Sequence, residues 1–123
     1  MATVAAGLVA IVAAIHVYIV ILEMLLWRTP RGLRAFGMTQ TFADESATLA
    51  ANQGLYNGFL VAGLVWGLLA ADPVGYQVKL FFLGCVIVAG LFGAITVNRG
   101  ILLVQALPAT LALVAVLAAA SGA

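Results

Sequence analysis

Hydrophobic positions along this chain neither alternate nor recur at helical spacing; they run on in long stretches broken by short clusters of Gly, Pro and charged residues. Such stretches cover residues 3–27, 47–70, 77–98 and 100–121. Each reaches the roughly 20 residues a helix needs to cross a hydrocarbon core about 30 Å thick. The pattern predicts four helices, over about 3–27, 42–70, 77–98 and 100–121. The second begins before its apolar part, because Thr41 followed by Asp44 and Glu45 is a capping signal. Thr29, Pro30, Arg31 and Gly32 read as a turn that ends the first helix, residues 71–76 as a tight Asp-Pro-Val-Gly turn, and Asn98, Arg99 and Gly100 as a tighter one. Links this short make antiparallel neighbours. The expected fold class is therefore all-α: an integral membrane four-helix bundle with short antiparallel connections, one transmembrane domain over 1–123.

Composition strengthens that reading, since 66% of the residues are hydrophobic and 7% charged, more apolar surface than a water-soluble fold can hide. The first stretch lacks a basic leader and carries His16 and Glu23, so it is expected to be retained rather than cleaved as a signal. Of the five basic residues, Arg28, Arg31, Arg34 and Arg99 flank the first and third links and Lys79 opens the third helix. By the positive-inside rule both termini lie outside, in a multi-pass protein of the cell inner membrane. Trp27 and Phe36 suit an interfacial belt. A net charge of +1 offers nothing to nucleic acid. The single Cys85 excludes an internal disulfide and reads as a packing residue. Gly54 with Gly58, Gly63 with Gly67, and Gly84, Ala89, Gly90 and Gly93 are spaced for close helix contact, within the chain or in a homo-oligomer.

Candidate chemistry starts from His16 and Glu23. Seven residues is nearly two helical turns, which places the two on nearly one face about 10 Å apart, and a membrane helix rarely carries ionisable groups it does not use. Other polar residues gather toward the same, cytoplasmic side: Asn52, Gln53, Tyr56 and Asn57 on the second helix, Thr96 and Asn98 at the end of the third, and Gln105 before Pro108 on the fourth. Amides in hydrocarbon need partners, so these groups are expected to turn inward and line a polar cavity; the alternative is that each serves as hydrogen-bonding glue between helices. Arg28, Arg31 and Arg34 either touch lipid phosphates or bind substrate.

Three runs, "HVYIVILEMLLWRTPRGLRAFG", "LAANQGLYNGFLVAGLVWG" and "VAGLFGAITVNRGILLVQALPATLAL", resemble the small bacterial membrane proteins catalogued as domain of unknown function 1304. The resemblance spans most of the chain and implies no activity. It implies that the recurring residues are His16, Glu23, Trp27, Pro30, Arg31, Gly32, Asn52, Gln53, Asn57, Thr96, Gln105 and Pro108. A second, architectural resemblance is to the membrane-associated eicosanoid and glutathione metabolism proteins, with four helices and a long first cytoplasmic loop. The arginines and acidic residues that hold glutathione there are absent from "ATLAANQGLYNGF", so this likeness implies a trimer as one possible assembly and no glutathione.

No Gly-rich dinucleotide loop or phosphate loop is present, and one His with one Cys makes no metal site, so neither cofactor nor metal is expected. The expected function is cofactor-light proton transfer on a small lipophilic molecule, of the isomerase or epoxide-opening and cyclising kind. Glu23 would be the acid, His16 the base or orienter, and Asn52, Gln53, Tyr56, Asn57, Thr96 and Gln105 the binding groups. Two alternatives stand beside it. One helix-1 glutamate among four helices resembles the small multidrug resistance transporters, which are proton-coupled dimers, although the charge bias opposes an antiparallel pair. A structural membrane subunit is the third reading. Partners common to all three are membrane lipids.

Overall fold

The computed structural model describes residues 1–122. Among them the regular structure is entirely helical: α1 (Ala2–Met24), α2 (Pro30–Phe36), α3 (Gln40–Leu69), α4 (Val74–Thr96) and α5 (Leu107–Ala120), the last preceded by a π-helical turn over Leu102–Ala106. Among the described residues three stretches are long and apolar enough to cross a membrane: Ala2–Met24, Val74–Thr96 and Leu102–Ala120. Four were expected. The 30-residue α3 is the longest helix among the described residues, but Asn52, Gln53 and Asn57 dilute its middle. Large apolar side chains stand exposed along the helices, among them Leu49, Leu69, Phe81 and Ile95. Such a surface suits lipid better than water.

Helix ends depart from the sequence pattern where capping residues outweigh hydropathy. The last turn of α1 widens, with Leu25 N–H and Leu26 N–H both bonded to the Ile21 carbonyl (2.9 and 3.0 Å), and the helix stops at Met24 rather than near Trp27. Thr29 to Gly32, expected as a turn, instead starts α2. Thr29 is its N-cap, with Oγ1 accepting from Gly32 N–H (3.4 Å), and Pro30 sits in the first turn, where its missing N–H costs nothing. Gly37, left-handed at φ 63°, closes this short helix. The cap of α3 is Thr39 rather than Thr41, its Oγ1 accepting from Phe42 N–H (3.1 Å). α4 begins at Val74, inside the expected turn, with Pro73 in its N-cap position and Asp72 Oδ1 accepting from Tyr76 N–H (3.0 Å) in the first turn. At the other end of α4, Asn98 Oδ1 accepts from Gly100 N–H (2.7 Å) and makes the turn into the next helical stretch.

The chain divides into two compact units, one made of Met1–Ile15 with the chain from Leu60 onward and the other of His16–Phe59. The first holds the apolar core: Ala5, Val9 and Val12 from α1, Leu64 from α3, Leu83 and Val86 from α4, and Ala109, Ala112, Ala115 and Val116 from α5. Leaving lipid for another helix yields little hydrophobic gain, so close backbone approach supplies the contact energy. The alanines of α5, three residues apart, meet that need. So do Gly63, over which the Phe82 ring lies, and Gly67, where the Lys79 stem packs. A Cβ on Gly90 would stand 2.7 Å from the Ala106 nitrogen and 3.0 Å from its Cα. By contrast, Gly58 and Gly84, also expected at contacts, have nothing within 4 Å of a Cβ position.

The π turn lies just before Pro108. Leu107 N–H reaches back to the Leu102 carbonyl, and Thr110 Oγ1 donates to the Ala106 carbonyl (2.7 Å). A proline cannot donate to the ordinary ladder, and a widened turn is one way a helix absorbs it.

These two environments predict opposite outcomes for one substitution. Gly90→Val is expected to cost about 1–3 kcal/mol through overpacking, whereas Gly84→Val, on the same helix, stays near neutral. Thermal unfolding of the detergent-solubilised protein distinguishes them; equal destabilisation would contradict the packing described.

Candidate functional site

Within the His16–Phe59 unit the end of α1 meets the first half of α3. Contact is possible here because residue 54 is glycine. A Cβ at that position would strike the Met24 side chain and stand 3.2 Å from Glu23 Cβ. One turn further along α3, Asn57 Nδ2 donates to Glu23 Oε1 (2.5 Å) and also faces its own helix at the Gln53 carbonyl (3.4 Å). Glu23 and Asn57 are 7% and 5% exposed. A carboxyl taken from water without a donor is among the costliest groups to bury, so this bond is what makes the position tolerable.

The segment after α1 is pinned over this pair. Trp27 Nε1 donates to Ser46 Oγ (3.0 Å), and the Trp27 ring packs against Phe36 with centroids 4.8 Å apart. Thr29 Oγ1 donates to the Leu26 carbonyl (2.7 Å). Gln40 Nε2 donates both to the Arg28 carbonyl (3.2 Å) and to Asp44 Oδ1 (3.0 Å). Gly32 belongs to the same construction, since a Cβ there would run into the carbonyls of Leu26 and Trp27.

Between the segment and α3 lies an open cleft of about 500 Å³. Its apolar wall is Met24, Leu25, Trp27, Ala47 and Ala51, and its polar groups are Glu23, Arg28, Thr29 and Thr48. No buried side-chain nitrogen or oxygen among the described residues lacks a hydrogen-bond partner. Asn57 engages Glu23 Oε1, and Glu23 is among the residues that line the cleft.

The other expected site residues fall elsewhere. His16 is fully buried on α1 and does not line the cleft. Asn52, Gln53 and Tyr56 are exposed, with the Tyr56 ring edge-on to Phe59 (5.7 Å). The inward turn expected of these groups is not seen, because at about 100° per residue the face carrying Ala50, Gly54 and Asn57 leaves Asn52 and Tyr56 on another side of α3. Thr96 and Gln105 belong to the other unit. There, Thr96 is exposed and its hydroxyl donates to the Phe92 carbonyl of its own helix (2.7 Å), and Gln105 is half-buried in the π turn. No group of three or more His, Cys, Asp or Glu able to hold a metal occurs among the described residues. Thr48 and Ser46 were not singled out from sequence. The small residues Ala47, Ala51 and Gly54, at spacings of four and three, were the available signal, since they mark the face of α3 that meets α1.

The model of a family described as "Protein of unknown function (DUF1304)" matches residues 10–117 of this chain. The uncharacterized protein YpaA of Lactococcus lactis subsp. lactis (strain IL1403) is 33% identical over 106 residues, a match covering 85% of this chain and 88% of YpaA. No solved structure matches.

The bond between Glu23 and Asn57 is measurable as a coupling. In a double-mutant cycle of Glu23→Ala and Asn57→Ala, unfolding in detergent is expected to give an interaction energy of about 1–2 kcal/mol. Strict additivity would mean that the two groups do not depend on each other.

Proposed function

The chain belongs to the DUF1304 family and, since that description carries no activity, we propose from its own residues that it is an integral membrane protein performing proton transfer on a small lipophilic molecule at the Glu23 cleft. The observation that carries this reading is a carboxyl held by an amide through one oxygen while its residue lines an open space of mixed polar and apolar character. Asn57 fixes the orientation of the carboxyl, and Oε2 is the atom that gives up and recovers the proton. Apolar walls suit a substrate that arrives from the lipid. Isomerisation of a double bond, or opening and cyclisation of an epoxide, asks for little beyond such an acid and a shaped pocket.

Glu23 finds its partner on its own chain. That favours an active site complete in one copy over a carrier in which carboxyls from two copies share a centre. His16, outside the cleft, is assigned here to the architecture of α1 rather than to the reaction.

The membrane arrangement that goes with this reading is a four-helix bundle in the cell inner membrane. α3 counts as the fourth pass because 30 residues at 1.5 Å each span about 45 Å, ample for a bilayer core despite its amides. Arg28, Arg31, Arg34 and Arg99 set the cytoplasmic side, leaving both termini outside. On a Cys85→Ser background, Arg34→Cys should react with an impermeant maleimide only when the inner face is open to the reagent, and Ser121→Cys from the outer face of intact cells. The reverse labelling would overturn the orientation.

For the chemistry, lipid-soluble extracts of cells lacking the protein are compared with extracts of cells carrying it. At least one lipophilic species is expected to accumulate in its absence and to be consumed by the purified wild-type protein. Glu23→Gln should slow that consumption by about 100-fold or more, the usual scale for loss of a general acid. A Glu23→Gln variant that turns the species over at the wild-type rate would end the proposal.

A further inference from the structure

Arg28 is the second ionisable residue of the cleft, and the proton-transfer reading gives it no task. Its side chain is exposed, and no described residue bonds to the guanidinium: the one hydrogen bond at Arg28 is accepted by its backbone carbonyl, from Gln40. That bond and the Thr29 contact to Leu26 hold the backbone beneath the side chain, so the cation is carried on a pinned support. A guanidinium presents a rigid fork of donors matched to carboxylate and phosphate oxygens. The lining of the cleft also includes apolar side chains, from Met24, Leu25, Ala47 and Ala51. The cleft lies where α1 stops, immediately past a stretch long and apolar enough to cross a membrane, which is the depth at which lipid headgroups meet acyl chains.

We propose that the cleft binds a single-chain anionic amphiphile, its head paired with Arg28 and its chain laid along Met24, Leu25, Ala47 and Ala51, so that the reacting part of the molecule comes to Glu23. The inference rests on the proton-transfer reading for the role of Glu23 and on the charge and lining of the cleft for the identity of the occupant. A head of opposite sign to Arg28 is drawn to that end of the cleft, which fixes the direction in which the molecule lies. Carboxylate and phosphate heads share the chemistry the guanidinium recognises, and a fatty acid and a lysophosphatidate represent the two sources.

Trp27 lines the cleft, and the chain has one other tryptophan, Trp66. In the Trp66→Phe protein, purified whole in an uncharged detergent, Trp27 fluorescence therefore reports occupancy. Brominated stearate or brominated lysophosphatidate is expected to quench it saturably, and whichever does so at the lower concentration identifies the head. Neutral brominated monoacylglycerol is expected to need a concentration at least about tenfold higher, and Arg28→Gln to shift the anion's curve by a similar factor, as loss of one charge-assisted contact would. Arg34→Gln, outside the cleft, should leave the curve in place. Equal quenching by the neutral probe, or equal shifts from Arg28→Gln and Arg34→Gln, would overturn the proposal. Glu23→Gln separates the two readings: it should keep the anion's quenching curve while losing turnover. Retained turnover with Arg28-dependent quenching would remove the acid role and leave the binding site standing. Lost turnover with charge-independent quenching would do the reverse.

Discussion

A carboxyl in an apolar helix must be met by a donor, and the bond from Asn57 to Glu23 is the interaction around which residues 16–59 are organised. It requires α3 to come close to α1 at one level, and Gly54 is the residue that permits this. Ala50, Gly54 and Asn57 then share the buried side of α3, which determines which of its polar residues are left outside. Amides that seem equivalent in the sequence thus acquire different surroundings from a single pairing.

The segment between α1 and α3 is built rather than merely long. Thr29, Pro30 and Gly37 bracket a short helix, Gly32 lets it close against the backbone of Leu26 and Trp27, and the Trp27 and Gln40 side chains tie it to α3. These contacts spend hydrogen bonds on holding a wall in place. What the wall borders is a cleft whose lining includes an acid, a cation and apolar side chains.

Much of this was legible in the chain. Apolar length alone marks α1, α4 and the last helix, and the cost of burying a carboxyl is enough to single out Glu23. Asn57 was one of four polar residues within six positions of α3, and hydropathy cannot say which of them faces α1; only the phase fixed by Gly54 does. The reading of residues 29–32 as a turn gave weight to Pro and Gly as breakers, whereas Thr followed by Pro is equally the way a helix begins. Gly58 and Gly84 carry the same small-residue signature as Gly54 and Gly90 yet meet no neighbour, because spacing describes an opportunity for approach and not the neighbour that takes it. The π turn left no hydropathy signal at all, and Pro108 was its only visible correlate.

That widened turn has a bearing on the helix that follows it. One residue more per turn at Leu102–Ala106 winds back the azimuth of every later side chain by about 100° relative to an uninterrupted α-helix. The buried stripe of Ala109, Ala112 and Val116 is therefore indexed from the bulge and not from the start of the helix at Gly100. The two halves of this helical stretch can be oriented separately, and a single inserted or deleted residue between Arg99 and Pro108 would act as a rotation of the whole C-terminal half rather than as a local change.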